Sequence, residues 1–278
     1  MSELPTRAAP RSYLFVPGDR PQRFDSAWNS PADEVILDLE DAVAPAQKDA
    51  ARAAVAAWLR PDRPVWVRCN AADSAWFQDD LGLAAVPGLA GFVMPKAETL
   101  PPALLELARV HGLGLIPLVE TAQGIDLCEA LARAPAVTRL AFGSIDFQVD
   151  LGIAGEDDGL LLFRSRLVLA SRLAGRPAPI DGVTPSIDDE AQVRADTRRS
   201  RRLGLKARLC IHPRQVPWVH EELAPTATER DWARRVIEAM AAARGAAVAV
   251  DGKMVDRPIL LRAQEIDAAP APSARTRA

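Results

Sequence analysis

Cysteine is scarce: three residues in 278, with no CxxC pair, cannot build a disulfide framework or a thiolate metal cluster. Cys69, Cys128 and Cys210 each fall in an apolar or strand-like stretch, so buried thiols in a reducing compartment are expected. An excess of one charge is also missing. Lys+Arg 34 against Asp+Glu 37 leaves a formal net charge of -3, too little basic field to hold nucleic acid or an anionic membrane. Any anionic ligand must therefore meet local cations. No run approaches the roughly 20 apolar residues of a bilayer span, and Met1 to Pro10 is short, polar and proline-containing. A cytoplasmic protein without nucleic-acid or membrane partners is expected. Gly-rich phosphate loops and Ser/His/Asp arrangements are absent as well, because GRPAP and GDRPQR lack the required glycine spacing.

What is present is ordinary globular composition, 49% hydrophobic and 26% charged. Eight short apolar runs recur at nearly even spacing: Tyr13 to Val16, Glu34 to Leu39, Val65 to Cys69, Gly91 to Met94, Gly114 to Val119, Arg139 to Phe142, Pro179 to Val183 and Ala207 to Ile211. They are continuous rather than alternating, as parallel strands covered by helices are. Helix signals lie between them. Pro45 to Leu59 follows a turn, Pro101 to His111 stops at Gly112, and Thr121 to Ala134 stops before Pro135. Eight such units predict an α/β fold, a (β/α)₈ TIM barrel ahead of an open doubly wound sheet. The expected organisation is a barrel over residues 11–245, a helical C-terminal extension or lid over 246–267, and a disordered tail over 268–278. No internal repeat or second domain is visible.

In a barrel the strand ends converge on one face, which makes their polar residues the functional candidates. These are Asp38, Glu40 and Asp41, then Arg68 and Asn70, Lys96 and Glu98, Glu120, Asp146, Asp181 and His212. Glu120 and Asp146 are the sharpest pair, because adjacent strand ends bring two carboxylates within reach of one ion. Oxygen donors alone, without a His or Cys cluster, favour a hard cation such as Mg²⁺. Capping of the following helices is the alternative for both. Arg68, late in an apolar strand, needs an anion: a substrate carboxylate gripped at two points, or a structural pair with Asp38, Glu40 or Asp41. Lys96 offers either a Schiff-base amine or, preferred here, an ion pair with Glu98 or Glu120. His212 offers a ligand contact or a structural hydrogen bond.

RSYLFVPGDRPQRF, VILDLEDAVAP followed by KDAAR, VRCN, VMPKAE, LIPLVETAQGI, LAFGSIDFQVDLG, DGVTPSIDD, ARLCIHPRQV and DGKMVDRP occur in this order. In that series, which runs from about Arg11 to Ile266, the chain resembles the citrate lyase β-subunit-like proteins of the HpcH/HpaI aldolase and citrate lyase superfamily, alongside malyl-CoA and citramalyl-CoA lyases. The resemblance implies a TIM barrel assembled as a homotrimer or hexamer, acting on an acyl-CoA and a 2-oxo acid. It implies Glu120 and Asp146 as Mg²⁺ ligands, with Mn²⁺ as a substitute, and Arg68 as the grip on the substrate carboxylate. Phe15 would touch the acyl-CoA portion, with Ile211 and His212 as further substrate contacts. Asp256 would be an acid/base group reaching a neighbouring subunit's site, with a helix cap as its alternative role. Two departures bear on substrate choice: Ile145 precedes Asp146 where the family is often acidic, and VTPSIDD lacks a frequent aromatic residue.

These features imply a Mg²⁺-dependent carbon–carbon lyase that cleaves or forms a 3-hydroxyacyl-CoA such as citramalyl-CoA or malyl-CoA. Acetyl-CoA and a 2-oxo acid would be the products. The alternatives are a citrate lyase β subunit whose thioester rides on an acyl carrier protein, a malyl-CoA-type thioesterase, and an aldolase using free pyruvate.

Overall fold

The computed structural model describes residues 9–155, 158–243 and 246–269. Eight parallel strands close into a barrel in chain order. They are β1 (Ser12–Pro17), β2 (Glu34–Asp38), β3 (Val65–Arg68), β4 (Leu89–Met94), β5 (Gly114–Val119), β6 (Ala141–Phe142), β7 (Ile180–Asp181) and β8 (Ala207–Cys210). Every run expected from sequence is a strand, with β6 and β7 shortened to two paired residues each.

Alternate residues along each strand serve two cores, which is why the runs read as continuously apolar. Tyr13, Ile36, Trp66, Val93, Ile116 and Leu209 pack inside the barrel. Leu14, Leu37, Val67, Phe92, Leu115 and Val119 belong to the larger core under the helices. Burying both faces gives a parallel strand its stability and removes any polar alternation.

The helices follow their sequence signals with one break. Helix Pro102–His111 ends where Gly112 turns left-handed at φ 66, a conformation glycine adopts without steric cost. The segment read as one helix after β5 is two, Ala122–Asp126 and Cys128–Arg133. The break at Leu127 comes three residues after Gly124, the weakest helix former in the segment.

Beyond β8, helix Ala227–Ala242 starts from a capping box of Thr226 and Glu229. An antiparallel hairpin follows, β9 (Val248–Val250) and β10 (Lys253–Val255), turning at Asp251 and Gly252 with φ 51 and 74. Asp-Gly between two short strands is the usual chemistry of such a turn. Helix Arg257–Ala268 then returns along the first. Ala233, Val236, Met240, Val250, Val255 and Ala263 form a small core of their own. The extension and helix Ala227–Ala242 thus pack together as one arm. Ala268, assigned from sequence to the tail, closes the last helix, and residues 270–278 lie outside the described residues. Among the described residues no helix is long and apolar enough to cross a membrane.

Asp181 is a correction to the strand-end candidates. It is fully buried, with Arg164 Nε at 2.9 Å, Arg208 Nη1 at 3.5 Å and its own Gly182 N–H at 2.9 Å. Two guanidiniums neutralise it and keep it inside the wall beside β7, away from the barrel mouth.

Candidate active site

Glu120 follows β5 directly, and Gly143 follows β6, its N–H donating to Val119 O at 2.9 Å. The carboxylate lies across that glycine so closely that a Cβ on residue 143 would stand 2.2 Å from Glu120 Oε2. Asp146 sits in the first turn of helix Ser144–Leu151, which Gly143 begins. The two acids therefore flank one glycine turn. Neither caps a helix: Thr121 caps the helix after β5 by accepting from Gly124 N–H, and no side chain caps the helix that carries Asp146.

Glu120 is 3% exposed, and its Oε1 accepts the Lys96 backbone N–H at 2.7 Å. Burial pushes its carboxyl up to about 8 despite that hydrogen bond, and the neighbouring Asp146 charge adds to the rise. A bound cation would relieve this repulsion. Asp146 is half-buried and accepts no hydrogen bond among the described residues, which leaves its oxygens available. No group of three or more His, Cys, Asp or Glu suited to a metal occurs among the described residues. Two carboxylates with open positions for water and substrate suit Mg²⁺ better than a metal that needs a closed nitrogen or sulfur cage.

Lys96 has φ 47, a left-handed conformation costly for a residue with a Cβ. The turn directs its N–H to Glu120 and its Nζ to Glu40 Oε1, 3.6 Å away. Its ion-pair partner is thus Glu40, not Glu98 or Glu120 as the sequence suggested. Glu98 accepts from Thr121 Oγ1 at 2.9 Å instead. Although burial works against it, Glu40, Asp41 and Glu120 raise the Lys96 pKa and keep the amine charged. A Schiff base needs the neutral amine.

Arg68 is 9% exposed and locked to Asp38 at two points, Nε to Oδ1 at 2.7 Å and Nη2 to Oδ2 at 2.6 Å. Nη1 lies 3.0 Å from Glu40 Oε2 and 3.5 Å from Asp41 Oδ2, and the guanidinium stacks 4.7 Å over the Phe15 ring. The structural ion pair is present. It occupies the edge formed by Nε and Nη2, while a guanidinium carries five N–H donors in all. Burial pushes Glu40 up to about 7 against the pull of Arg68, with Asp41 adding to the rise. The sequence offered Glu40 as one of three possible partners of Arg68; the structure adds that it also joins Arg68 to Lys96. The available signal was alternation in the DLED run, which puts Asp38 and Glu40 on one side.

Other candidates stand apart. The Ile211 N–H donates to Gln215 Oε1 at 2.9 Å, and Gln215 Nε2 donates to Thr184 O at 2.9 Å, tying the ends of β8 and β7. His212 Nδ1 accepts the Arg214 N–H at 3.2 Å, a structural bond within its own turn. Asn70 is held by Asp80 through its backbone and side-chain N–H groups at 2.8 and 2.6 Å. Asp256 caps helix Arg257–Ala268 by accepting from Ile259 N–H at 3.4 Å, with Pro258 in the first turn. Among the described residues no hydrogen bond or ion pair joins Asp256 to Glu120, Asp146 or Arg68 of its own barrel.

A closed barrel with two acids around a glycine turn at its strand ends is the architecture of a TIM-barrel enzyme suited to a divalent cation. Residues 11–213 match the family model HpcH/HpaI aldolase/citrate lyase, and the chain belongs to that family. A citrate lyase subunit beta-like protein of Deinococcus radiodurans is 38% identical, the match covering 92% of this chain and 95% of that one. The citrate lyase subunit beta of Escherichia coli is 36% identical, over 91% of each chain. A crystal structure of CitE from Mycobacterium tuberculosis, in complex with magnesium, acetoacetate and coenzyme A, superposes with TM-score 0.83. It is 37% identical, over 93% of this chain and 97% of that one.

Proposed function

We propose that this chain is a Mg²⁺-dependent lyase that cleaves, or forms, the carbon–carbon bond of a 3-hydroxyacyl-CoA such as citramalyl-CoA or malyl-CoA, giving acetyl-CoA and a 2-oxo acid. The observation that carries it is the meeting of Glu120 and Asp146 at Gly143. The magnesium, acetoacetate and coenzyme A of the mycobacterial relative support it.

Glu120 and Asp146 would hold Mg²⁺, or Mn²⁺ in its place. Bound there, the cation supplies positive charge where the keto oxygen develops. Lys96 fixes one Glu120 oxygen through its backbone N–H. Asp38 fixes the plane of Arg68, and the substrate carboxylate would compete with Glu40 and Asp41 for its Nη1 hydrogens. Phe15 backs that guanidinium and borders the acyl chain, with Ile211 and His212 at the β8 end of the mouth.

In the cleavage direction the C3 hydroxyl gives up its proton, the C2–C3 bond breaks, and its electron pair passes to the thioester enolate. The enolate carbon then takes a proton, so atoms and charge balance. Asp256 exchanges that proton from the arm of a neighbouring subunit in a homotrimer or hexamer, which fits its place on a separately packed arm.

The test is turnover by the purified chain with each candidate thioester, scoring 2-oxo acid, acetyl-CoA and free CoA separately. Equal amounts of 2-oxo acid and acetyl-CoA are expected. Free CoA with an intact hydroxy acid would make the chain a thioesterase, and turnover only on an acyl carrier protein would make it a citrate lyase subunit.

A further inference from the structure

A cavity of about 760 Å³ opens at the end of the barrel opposite the candidate site, between the barrel floor and the arm. The last turns of helix Glu190–Leu203, the approaches to β1 and β8, and the second half of helix Arg257–Ala268 enclose it. Its cations are Arg11, Arg198, Arg201, Arg202, Lys206 and Arg262; its carboxylates are Glu229 and Glu265. Six against two is a surplus of four positive charges, in a chain whose net charge is -3.

Carboxylates inside and just outside the cavity pair with four of these six cations and leave two guanidiniums without one among the described residues. Arg201 takes Glu229 at 2.8 Å, and Lys206 takes Glu265. Arg11 and Arg198 turn to acids outside the cavity, Asp33 at 3.7 Å and Glu222 at 3.1 Å. Arg202 and Arg262 have no carboxylate partner among the described residues; the Arg262 guanidinium lies 5.8 Å from the Trp232 ring centroid. Burial lowers the Lys206 pKa, and the charges of Arg139, Arg172 and Arg201 add to that fall. Basic residues in a helix's last turn complement its dipole, which accounts for Arg201 and Arg202. It does not account for Lys206 or Arg262, which come from other elements. Leu223, Pro225 and Ile266 give the cavity an apolar wall.

We propose that this cavity binds an organic polyphosphate of nucleotide size, clamped between the barrel floor and the arm. Its volume lies in the roughly 300 to 1,000 Å³ range of small-molecule sites. Planar guanidiniums from two elements suit a polyphosphate chain, and the apolar wall suits the body attached to it. Because the arm supplies Arg262 and Ile266, the bound anion would fasten the arm to the barrel. The site is separate from the barrel mouth and does not depend on the reaction proposed there.

The test is calorimetric titration of the full chain with ATP in metal-free buffer, where cation-dependent binding at the mouth is silent. One saturable site per chain is expected, weakening as salt rises. Arg202→Gln/Arg262→Gln alters two exposed side chains, so circular dichroism and turnover without ATP should match wild type. ATP affinity should fall roughly tenfold for each lost guanidinium. The assignment is overturned by absence of saturable binding or by unchanged affinity in the double variant. Tripolyphosphate binding as tightly as ATP would overturn the organic part of the assignment.

Discussion

Replacing Gly143 with alanine isolates the geometry on which the site depends. The backbone there, φ -89 and ψ 73, lies outside the left-handed region, so a Cβ brings no positive-φ strain. The added carbon would meet Glu120 Oε2 at 2.2 Å and Glu120 Cβ at 2.6 Å, whereas ordinary contact begins at 3.4 Å. From 2.2 to 3.4 Å is a displacement of 1.2 Å that Glu120 or the turn must absorb. Either response strains the 2.7 Å bond from Lys96 N–H and moves one acid relative to the other. A misplacement of about 1 Å at reacting groups costs about 10²-fold in rate, or roughly 2.7 kcal/mol. Overpacking should cost about 1 to 3 kcal/mol of stability. The assay is kcat/KM for thioester cleavage together with a Mg²⁺ titration, using Gly82→Ala as control because nothing lies within 4 Å of its added Cβ. Gly143→Ala should lose both Mg²⁺ affinity and turnover while Gly82→Ala loses neither. Wild-type Mg²⁺ affinity in Gly143→Ala would refute the placement of Glu120 as a ligand.

Four further outcomes are expected. Arg68→Lys should lose the two-point bond to Asp38 and weaken pyruvate or oxaloacetate binding by roughly 1.5 to 3 kcal/mol; unchanged 2-oxo acid binding by calorimetry would leave Arg68 a structural residue only. Chelation should abolish turnover and added Mg²⁺ restore it, and full activity in excess chelator would remove the cation from the account. Asp256→Asn should lower turnover by about 10²-fold, and mixing it with inactive Glu120→Ala protomers should restore activity if the arm serves a neighbour. No recovery despite verified subunit exchange would confine Asp256 to its cap. Finally, burial would raise the Asp33 pKa, but the His220 hydrogen bond and charge, with the Arg11 N–H, hold it at about 2. That value is below the ordinary one near 3.9, so the stabilisation is complete above about pH 4 and is lost as pH falls toward 2, a change of roughly 2.5 kcal/mol. Asp33→Asn should flatten this part of the urea-stability profile, and an unaltered slope would contradict the assignment.

The barrel was legible because both faces of each strand are buried, which writes continuous apolar runs into the chain, and because Gly112 marks a helix end by its backbone freedom. The adjacency of Glu120 and Asp146 was legible for the same reason, since consecutive barrel strands must be neighbours. Side-chain pairing was not. Strand order brings Lys96 near Glu120, but only the left-handed turn at residue 96 decides that the backbone, not the ammonium, meets that carboxylate. Asp181 shows the same limit, because a strand-end acid turns inward when two arginines of the wall are there to neutralise it. The hairpin at Asp251 and Gly252 carried its signal openly in the Asp-Gly pair. The floor cavity was legible only in part: Arg198, Arg201, Arg202 and Lys206 lie in one basic run, but Arg11 and Arg262 reach it from distant parts of the chain.

The central claim is that Glu120 and Asp146 together hold the divalent cation to which a 2-oxo acid binds. Electron paramagnetic resonance of Mn²⁺ titrated into the wild-type chain, Glu120→Gln and Asp146→Asn, each with and without pyruvate, tests it most directly. The account expects one bound Mn²⁺ per wild-type chain, a spectrum altered by pyruvate, and loss of that bound species in both variants. Wild-type Mn²⁺ binding in either variant, or a spectrum indifferent to pyruvate, would contradict it.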